Sequence, residues 1–284
     1  MILIDNNQLI LSNFFQLEKQ GIDDPAEKEN MLLHMVLNSY RLYRTKFLRE
    51  FGELVICHDS SNCWRKDLFP EYKANRKKAQ KKSDVDWSEV HNLMDSVRSD
   101  IEKHLPYKNI KVDRAEADDI IYAMCKEFNQ IENILIVSND KDFQQLQVFP
   151  TVKQFSPTKK KYLVCEKPNM FLLDHIIRGD ASDGVPNILS DDDVFVTDDK
   201  RQKRLTSKRF EEIYDLYTDG SDMGSYSRNW NRNETLIDLC KVPDHIVKES
   251  IQSFETSETP DRSNLLNYFI ERKLKNLMGS IEEF

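Results

Sequence analysis

Residues 133–142 read Asn-Ile-Leu-Ile-Val-Ser-Asn-Asp-Lys-Asp. Ile134 to Val137 are apolar without alternation, the pattern of a strand buried on both faces of a parallel sheet. A two-residue turn, Ser138-Asn139, then delivers Asp140 and Asp142. Two further short apolar runs also end in aspartate: Ile2–Asp5, and Leu54–Cys57 followed by His58-Asp59. In an open parallel sheet, ligands gather in the crevice beyond the carboxyl ends of the strands. Four aspartates from three strands are therefore expected on one edge. Glu116, Asp118 and Asp119 open a helical stretch, Glu116–Phe128, with Glu116 and Asp119 three apart on its first turn. Seven clustered carboxylates repel one another unless some protonate or cations neutralise them. Hard oxygen donors in that number suit Mg²⁺ or Mn²⁺ rather than zinc.

Helical spacing separates the strands. Pro25–Glu50 is closed by Gly52, Trp87–Leu105 has apolar residues at threes and fours, and Pro168–Arg178 carries proline in its first turn. Asp142–Gln147 reads as a short helix. Asn109–Val112, Thr151–Phe155 and Tyr162–Cys165 are weaker strand candidates, the last two around the basic turn Lys159–Lys161. Strands alternating with helices predict an α/β fold with a mostly parallel central sheet over residues 1–180. Past Gly179 the strands stop, so residues 181–284 are expected to form a smaller helical C-terminal subdomain.

Composition narrows the function. Of 284 residues, 39% are hydrophobic, enough for a core, while seven glycines and nine prolines are few for an all-β fold rich in turns. No stretch is long and apolar enough to span a membrane, and the opening Met1–Ile10 lacks the basic and apolar regions of a signal peptide. Five cysteines without a C-x-x-C argue against a disulfide framework or zinc finger, and point to the cytosol, that of a host cell if the protein is viral.

The net charge of −8 is unevenly spread: residues 64–82 hold eight Lys/Arg against Asp67 and Glu71. Trp64, Phe69 and Tyr72 interleave with Arg65, Lys73 and Arg76, so aromatics can anchor a strip whose cations reach phosphates. Such a strip beside an acidic cluster implies a polyanion substrate and carboxylate-held metal. Its charge density predicts a segment that is mobile alone and orders on a nucleic-acid strand. Asp191–Asp193 is expected to be a solvated acidic loop. Haloacid-dehalogenase-type phosphatases also follow their first strand with Asp, but need a second Asp where this chain has Asn7. No Ser, Cys or His is placed as a nucleophile, and His34, His58 and His91 read as packed residues. A metal-activated water is the expected attacking group.

The stretches LIDNNQ, HDSSNCWRKDLFPEYKANRKK, AEADD, SNDKDFQQL, VKQFSP and RGDASDGVP occur in that order over the first 186 residues. In combination they resemble the flap endonuclease, or 5′→3′ nuclease, superfamily, and most of all its bacteriophage ribonuclease H branch, as does the tail from Leu236 to Phe284. The resemblance implies a PIN-like nuclease core of residues 1–180, a helical arch or bridge over residues 64–86, and a duplex-binding C-terminal subdomain. It implies an enzyme that uses two Mg²⁺ ions (Mn²⁺ substituting) to remove 5′ flaps and RNA primers from duplex DNA during replication, leaving 5′ phosphates. Substrates would be DNA with a 5′ flap or nick, or an RNA/DNA hybrid. The protein would be a monomer, with a sliding clamp and a single-stranded-DNA-binding protein as partners. Asp5, Asp59, Asp118 and Asp140 would ligate the tighter metal, with Glu116, Asp119, Asp142 and Asp183 completing the acidic set. Lys73, Arg76 and Arg65 would serve catalysis. Lys77, Lys78, Lys200, Arg201, Lys203, Arg204, Lys208 and Arg209 would bind nucleic acid. The glycine-rich hairpin that in relatives grips the duplex with a potassium ion has no counterpart after Pro186. The competing expectation is a junction-binding module of the same fold that does not cut; an absent carboxylate would favour it, and none is absent.

Overall fold

The computed structural model describes residues 1–284. Six strands, β1 (Ile2–Asp5), β2 (Leu54–His58), β3 (Lys108–Lys111), β4 (Ile134–Val137), β5 (Val152–Ser156) and β6 (Lys161–Leu163), form one sheet in the order β3-β2-β1-β4-β5-β6. All neighbours are parallel except β5 and β6, which form an antiparallel hairpin. The chain steps outward from β1 to β2 to β3, then returns to place β4 on the other side of β1. That reversal makes β1/β4 the switch point, where a parallel sheet opens its ligand crevice.

The apolar runs are buried on both faces, and their side chains alternate between two cores. Leu3, Val55, Cys57, Ile134 and Ile136 enter one core, and Ile2, Ile4, Ile56, Leu135 and Val137 enter the other. The helices α1 (Asn6–Glu18), α2 (Pro25–Phe51) and, after two short bridge helices α3 (Arg65–Leu68) and α4 (Ala74–Gln80), α5 (Trp87–His104) are placed next in the chain. Leu9, Val36 and Val97 from α1, α2 and α5 pack on the second core. Helices α6 (Ala117–Phe128) and α7 (Pro168–Arg178) pack on the first. A 3-10 helix spans Lys141–Val148. Helix α1 was not anticipated by the sequence reading; its first turn is Asn6-Asn7-Gln8, and only Asn6, Leu9, Ile10, Phe14 and Leu17 are buried.

Five helices follow: α8 (Ser207–Thr218), α9 (Ser227–Ile237), α10 (Asp244–Thr256), α11 (Leu265–Glu271) and α12 (Lys275–Met278). No strand follows Leu163. There is, however, no break in packing at residue 180. Ile213, Trp230, Leu239 and Ile246 join the core of Leu3 and Val55, whereas Leu265, Phe269 and Leu277 join that of Ile4 and Val36. The C-terminal helices thus extend both cores, with α8 and α9 packing on α7 and α10 packing on α6 and β3. No helix is long and apolar enough to cross a membrane.

The basic strip also differs from expectation, because it is folded. Trp64, Phe69 and Tyr72 are buried in the first core and anchor α3 and the turn after it. Lys73 then adopts a left-handed backbone, φ 56°, and donates its N–H to Asp183 O at 2.7 Å before α4 begins. Asn75 Nδ2 donates to Ala181 O at 2.8 Å, Arg76 Nε to Ser182 O at 3.2 Å, and Lys78 pairs with Asp198. The loop 181–198 supplies the acceptors that a reading of the strip by itself did not include. Lys77, Lys81 and Lys82 remain exposed.

Candidate metal-dependent active site

The strand ends set the site. Asp5 closes β1 in register with Cys57 of β2, so Asp59 lies two residues further along the same edge. Ile4 pairs with Val137, and the chain leaves β4 through Ser138 to Asp140. Ser138 Oγ donates to Asp5 Oδ2 at 3.0 Å, while Asp140 N–H donates to the same hydroxyl at 3.0 Å. Asp59 Oδ1 accepts from Ala117 N–H at 2.7 Å, fixing it against the first turn of α6, where Asp118 sits. Asp5, Asp59, Asp118 and Asp140 therefore lie at one sheet edge, near enough for charge to couple Asp5 with Asp59, Asp118 and Asp140.

Their electrostatics state what is missing. Burial first, and then the charges of Asp59 and Asp140, push the Asp5 carboxyl up to about 7. Burial and the charges of Asp140 and Asp5 push Asp118 well up; burial raises Asp59 and Asp140 as well. Carboxyls raised by one another's charge are a set of oxygen donors short of cations. That donor chemistry fits hard divalent ions.

The other half of the cluster is already neutralised. Glu116 Oε1 accepts from Lys73 Nζ at 2.6 Å, and its Oε2 accepts from Arg65 Nη1 at 3.1 Å and the Tyr72 hydroxyl at 3.0 Å. Burial pushes Glu116 up, but Lys73 and Arg65 outweigh it and hold the carboxyl at about 2. Asp183 accepts from the Tyr72 hydroxyl at 3.0 Å and pairs with Arg76 and Lys73. Burial disfavours the Lys73 ammonium, yet Tyr72, Glu116 and Asp183 raise its pKa well above the usual value, so it stays charged.

Two expected site residues have other work. Asp119 is fully buried; Arg65 Nη2 lies 2.8 Å from Oδ1, and Oδ2 accepts from Trp64 Nε1 at 3.1 Å and Glu116 N–H at 2.9 Å. It closes a capping box with Glu116 and faces the anchor of the strip, while its Oδ1 meets Arg65 without a hydrogen bond of good geometry. Arg65, 2% exposed, also donates to Leu236 O at 3.0 Å, so it joins Glu116, Asp119 and α9.

Asp142 does reach the cluster, and it brings two residues that the sequence reading passed over. His175, on α7, lies with Nδ1 3.4 Å from Asp142 Oδ1 and Nε2 3.0 Å from Asp180 Oδ2. Asp180 Oδ1 accepts from Ser182 N–H at 2.7 Å and Oδ2 also meets Lys141 Nζ at 3.1 Å. Burial opposes ionisation of Asp180, but the hydrogen bonds from His175 and Ser182 and the charge of Lys141 hold its carboxyl well below the usual range. Asp180 and Asp183 share one loop because Gly179 can take φ 69° where a Cβ would meet Val185 O at 2.4 Å. The RGDASDGVP segment carried this signal; His175, inside an apolar helical pattern, carried none.

The expected nucleic-acid cations are exposed at Lys77, Lys200, Arg201, Lys203, Arg204, Lys208 and Arg209, with Lys78 half-buried. The acidic loop is not simply solvated: Asp191 pairs with Lys203, Asp192 with Arg228 and Arg232, and Asp193 with Lys200. Arg201, Arg204, Lys208 and Arg209 are the cations of that region outside these pairs.

Residues 1–170 match the family model described as the 5′-3′ exonuclease N-terminal resolvase-like domain, and residues 166–284 match the T4 RNase H C-terminal model. The ribonuclease H of Enterobacteria phage T4 is 30% identical over 99% of this chain and 95% of that protein. A 5′-3′ exonuclease of Buchnera aphidicola (subspecies Schizaphis graminum) is 24% identical over 66% of this chain and 65% of its own length. Among solved structures, a bacteriophage T5 flap endonuclease in a pseudo-enzyme–product complex with DNA and metal ions has the same fold. It superposes with TM-score 0.64 and 15% identity, covering 89% of this chain and 97% of that one. The chain belongs to the 5′–3′ exonuclease and flap endonuclease family, whose members hydrolyse phosphodiester bonds, with a C-terminal region of the T4 ribonuclease H type.

Proposed function

We propose that this nuclease binds duplex DNA carrying a 5′ flap or nick, and RNA/DNA hybrids, and removes flaps and RNA primers during replication. The observation that carries the reading is the meeting of two opposite halves: unneutralised Asp5, Asp59, Asp118 and Asp140 beside Glu116 and Asp183, which hold Lys73 and Arg76. Asp5, Asp59, Asp118 and Asp140 would hold one divalent ion, and Asp142 and Asp183 a second, Mg²⁺ with Mn²⁺ as substitute. When bound, such ions supply an acidified water and charge stabilisation for attacking and leaving oxygens. The chain's own residues do the rest. Lys73, kept charged by its buried partners, is placed to meet the scissile phosphate and offset charge that grows in the transition state. Arg76, half-exposed beside it, orients the same phosphate, and the exposed Lys77, Lys81 and Lys82 draw in the 5′ strand. Tyr72 fixes the spacing between Glu116 and Asp183. Arg201, Arg204, Lys208 and Arg209 grip duplex backbone. We further propose that the enzyme acts as a monomer in the cytoplasm, with a sliding clamp and a single-stranded-DNA-binding protein as partners.

The test is incubation with 5′-labelled flap, nicked and RNA-primed duplexes, in Mg²⁺ and in EDTA. Mg²⁺-dependent release of short 5′-phosphorylated products is expected. Binding of all three substrates without cleavage in Mg²⁺ or Mn²⁺ would replace the reading with that of a silent junction binder.

A further inference from the structure

We propose that His175 is a metal ligand, that Asp180 is its orienting partner, and that the pair makes the Asp142 side of the cluster select a transition-metal ion over Mg²⁺. The proposal rests on the metal-dependent reading above and extends it to a nitrogen donor. His175 is 5% exposed, and its Nδ1 has no hydrogen-bond partner; Asp142 Oδ1, also buried, has none either. These two orphaned atoms face each other at 3.4 Å. A charge-assisted hydrogen bond between them would draw the atoms to about 2.7–2.9 Å. Two ligands each about 2.0–2.1 Å from one tetrahedral ion stand about 3.3–3.5 Å apart. The observed separation leaves room for a cation held between them.

The second ring nitrogen agrees. Asp180 Oδ2 lies 3.0 Å from Nε2 and also meets Lys141 Nζ at 3.1 Å, so Nε2 is engaged while Nδ1 faces Asp142. A carboxylate that accepts the remote N–H of a ligating imidazole fixes the ring and raises its basicity. Asp142, Asp180 and His175 keep a ligand atom each within 4.8 Å of one another. Asp140 and Asp183 add negative charge around Asp142. An imidazole adds little for Mg²⁺, which prefers oxygen and water, but raises affinity along the series from Mn²⁺ to Co²⁺ and Zn²⁺.

The full chain, without DNA, is titrated with Co²⁺ alone by its visible absorption, then back-titrated with Mg²⁺; the Mn²⁺-loaded chain is read by pulsed electron paramagnetic resonance for nitrogen coupling. Expected are Co²⁺ retention against excess Mg²⁺ and a histidine nitrogen coupling. His175→Gln should lose the coupling and weaken Co²⁺ by at least the roughly 10–100-fold that loss of even an outer hydrogen-bond partner costs, leaving Mg²⁺ affinity unchanged. Asp180→Asn should keep the coupling but weaken Co²⁺. No nitrogen coupling in the Mn²⁺-saturated wild type, or equal Co²⁺ affinity in wild type and His175→Gln, would overturn the proposal. If that chain still cleaves flap DNA in Mg²⁺, only the histidine assignment falls; if it neither binds metal nor cleaves, the functional reading falls with it.

Discussion

Asp5 and Glu116 are both buried acids at one sheet edge, yet burial and like charge push Asp5 up to about 7 while Lys73 and Arg65 hold Glu116 at about 2. The difference is who neutralises them. Glu116 and Asp183 take countercharge from the strip after β2. Asp5, Asp59, Asp118 and Asp140 face one another and have no comparable cation. One half of the site has its countercharge within the protein, and the other does not.

Four experiments break or sharpen that contrast. The largest effect is expected on the ion-holding side. Asp140→Asn removes a charge from the open cluster and should slow cleavage by about 10³-fold or more, a loss of several kcal/mol of charge stabilisation, with duplex binding intact. Cleavage by this variant at the wild-type rate would remove Asp140 from the ion-holding half. Arg65→Met strikes the neutralised half from beneath. It leaves Asp119 and Glu116 buried without their partner, and should cost about 3–5 kcal/mol of stability, read by denaturant melting. A normal melt with a large kcat loss would assign Arg65 to catalysis and not to stability.

Lys73→Ala is expected to lower the single-turnover rate by about 10²-fold at saturating DNA, with a smaller change in affinity. Weak binding with a normal saturated rate would show that the strip grips and does not catalyse.

A pH scan of the metal-free chain gives the gentlest separation. Asp5 and Asp142, both pushed up to about 7 from an unfolded value of 3.8, bind protons more tightly folded than unfolded between those limits. Stability in EDTA should therefore fall as pH rises from about 4 through 7, and the melting-temperature gain on adding Mg²⁺ should grow over the same window. A flat profile in EDTA would mean that the open half is not short of cations.

The features legible in sequence were those written locally. Ile134–Val137 and Ile2–Asp5 announce central strands because burial on both faces forbids polar alternation, and the acids at their ends follow from the sheet's polarity. Pro25 and Gly52 frame α2 for equally local reasons. What was missed depends on distant partners. The strip reads as a run of repelling lysines until Asp198, Ala181 and Ser182 are brought to it. Asp119 looks like any acid of a helix first turn until Arg65 and Trp64 close on it. His175 sits 33 positions from Asp142, in a pattern that predicts only an apolar face.

The way the C-terminal helices cover the sheet has a consequence for biosynthesis. Every acid of the site, and the loop that ties down the strip, has been translated by residue 198. The two cores, however, are completed only when Ile246 joins one and Phe269 and Leu277 join the other. A ribosome partway through the message therefore carries a nascent chain that owns the chemistry but not the shelter for it. Contacts between α10 and β3 are also slow to form, since they close a long loop. The site is therefore expected to gain its full support only after nearly all of the chain has been made.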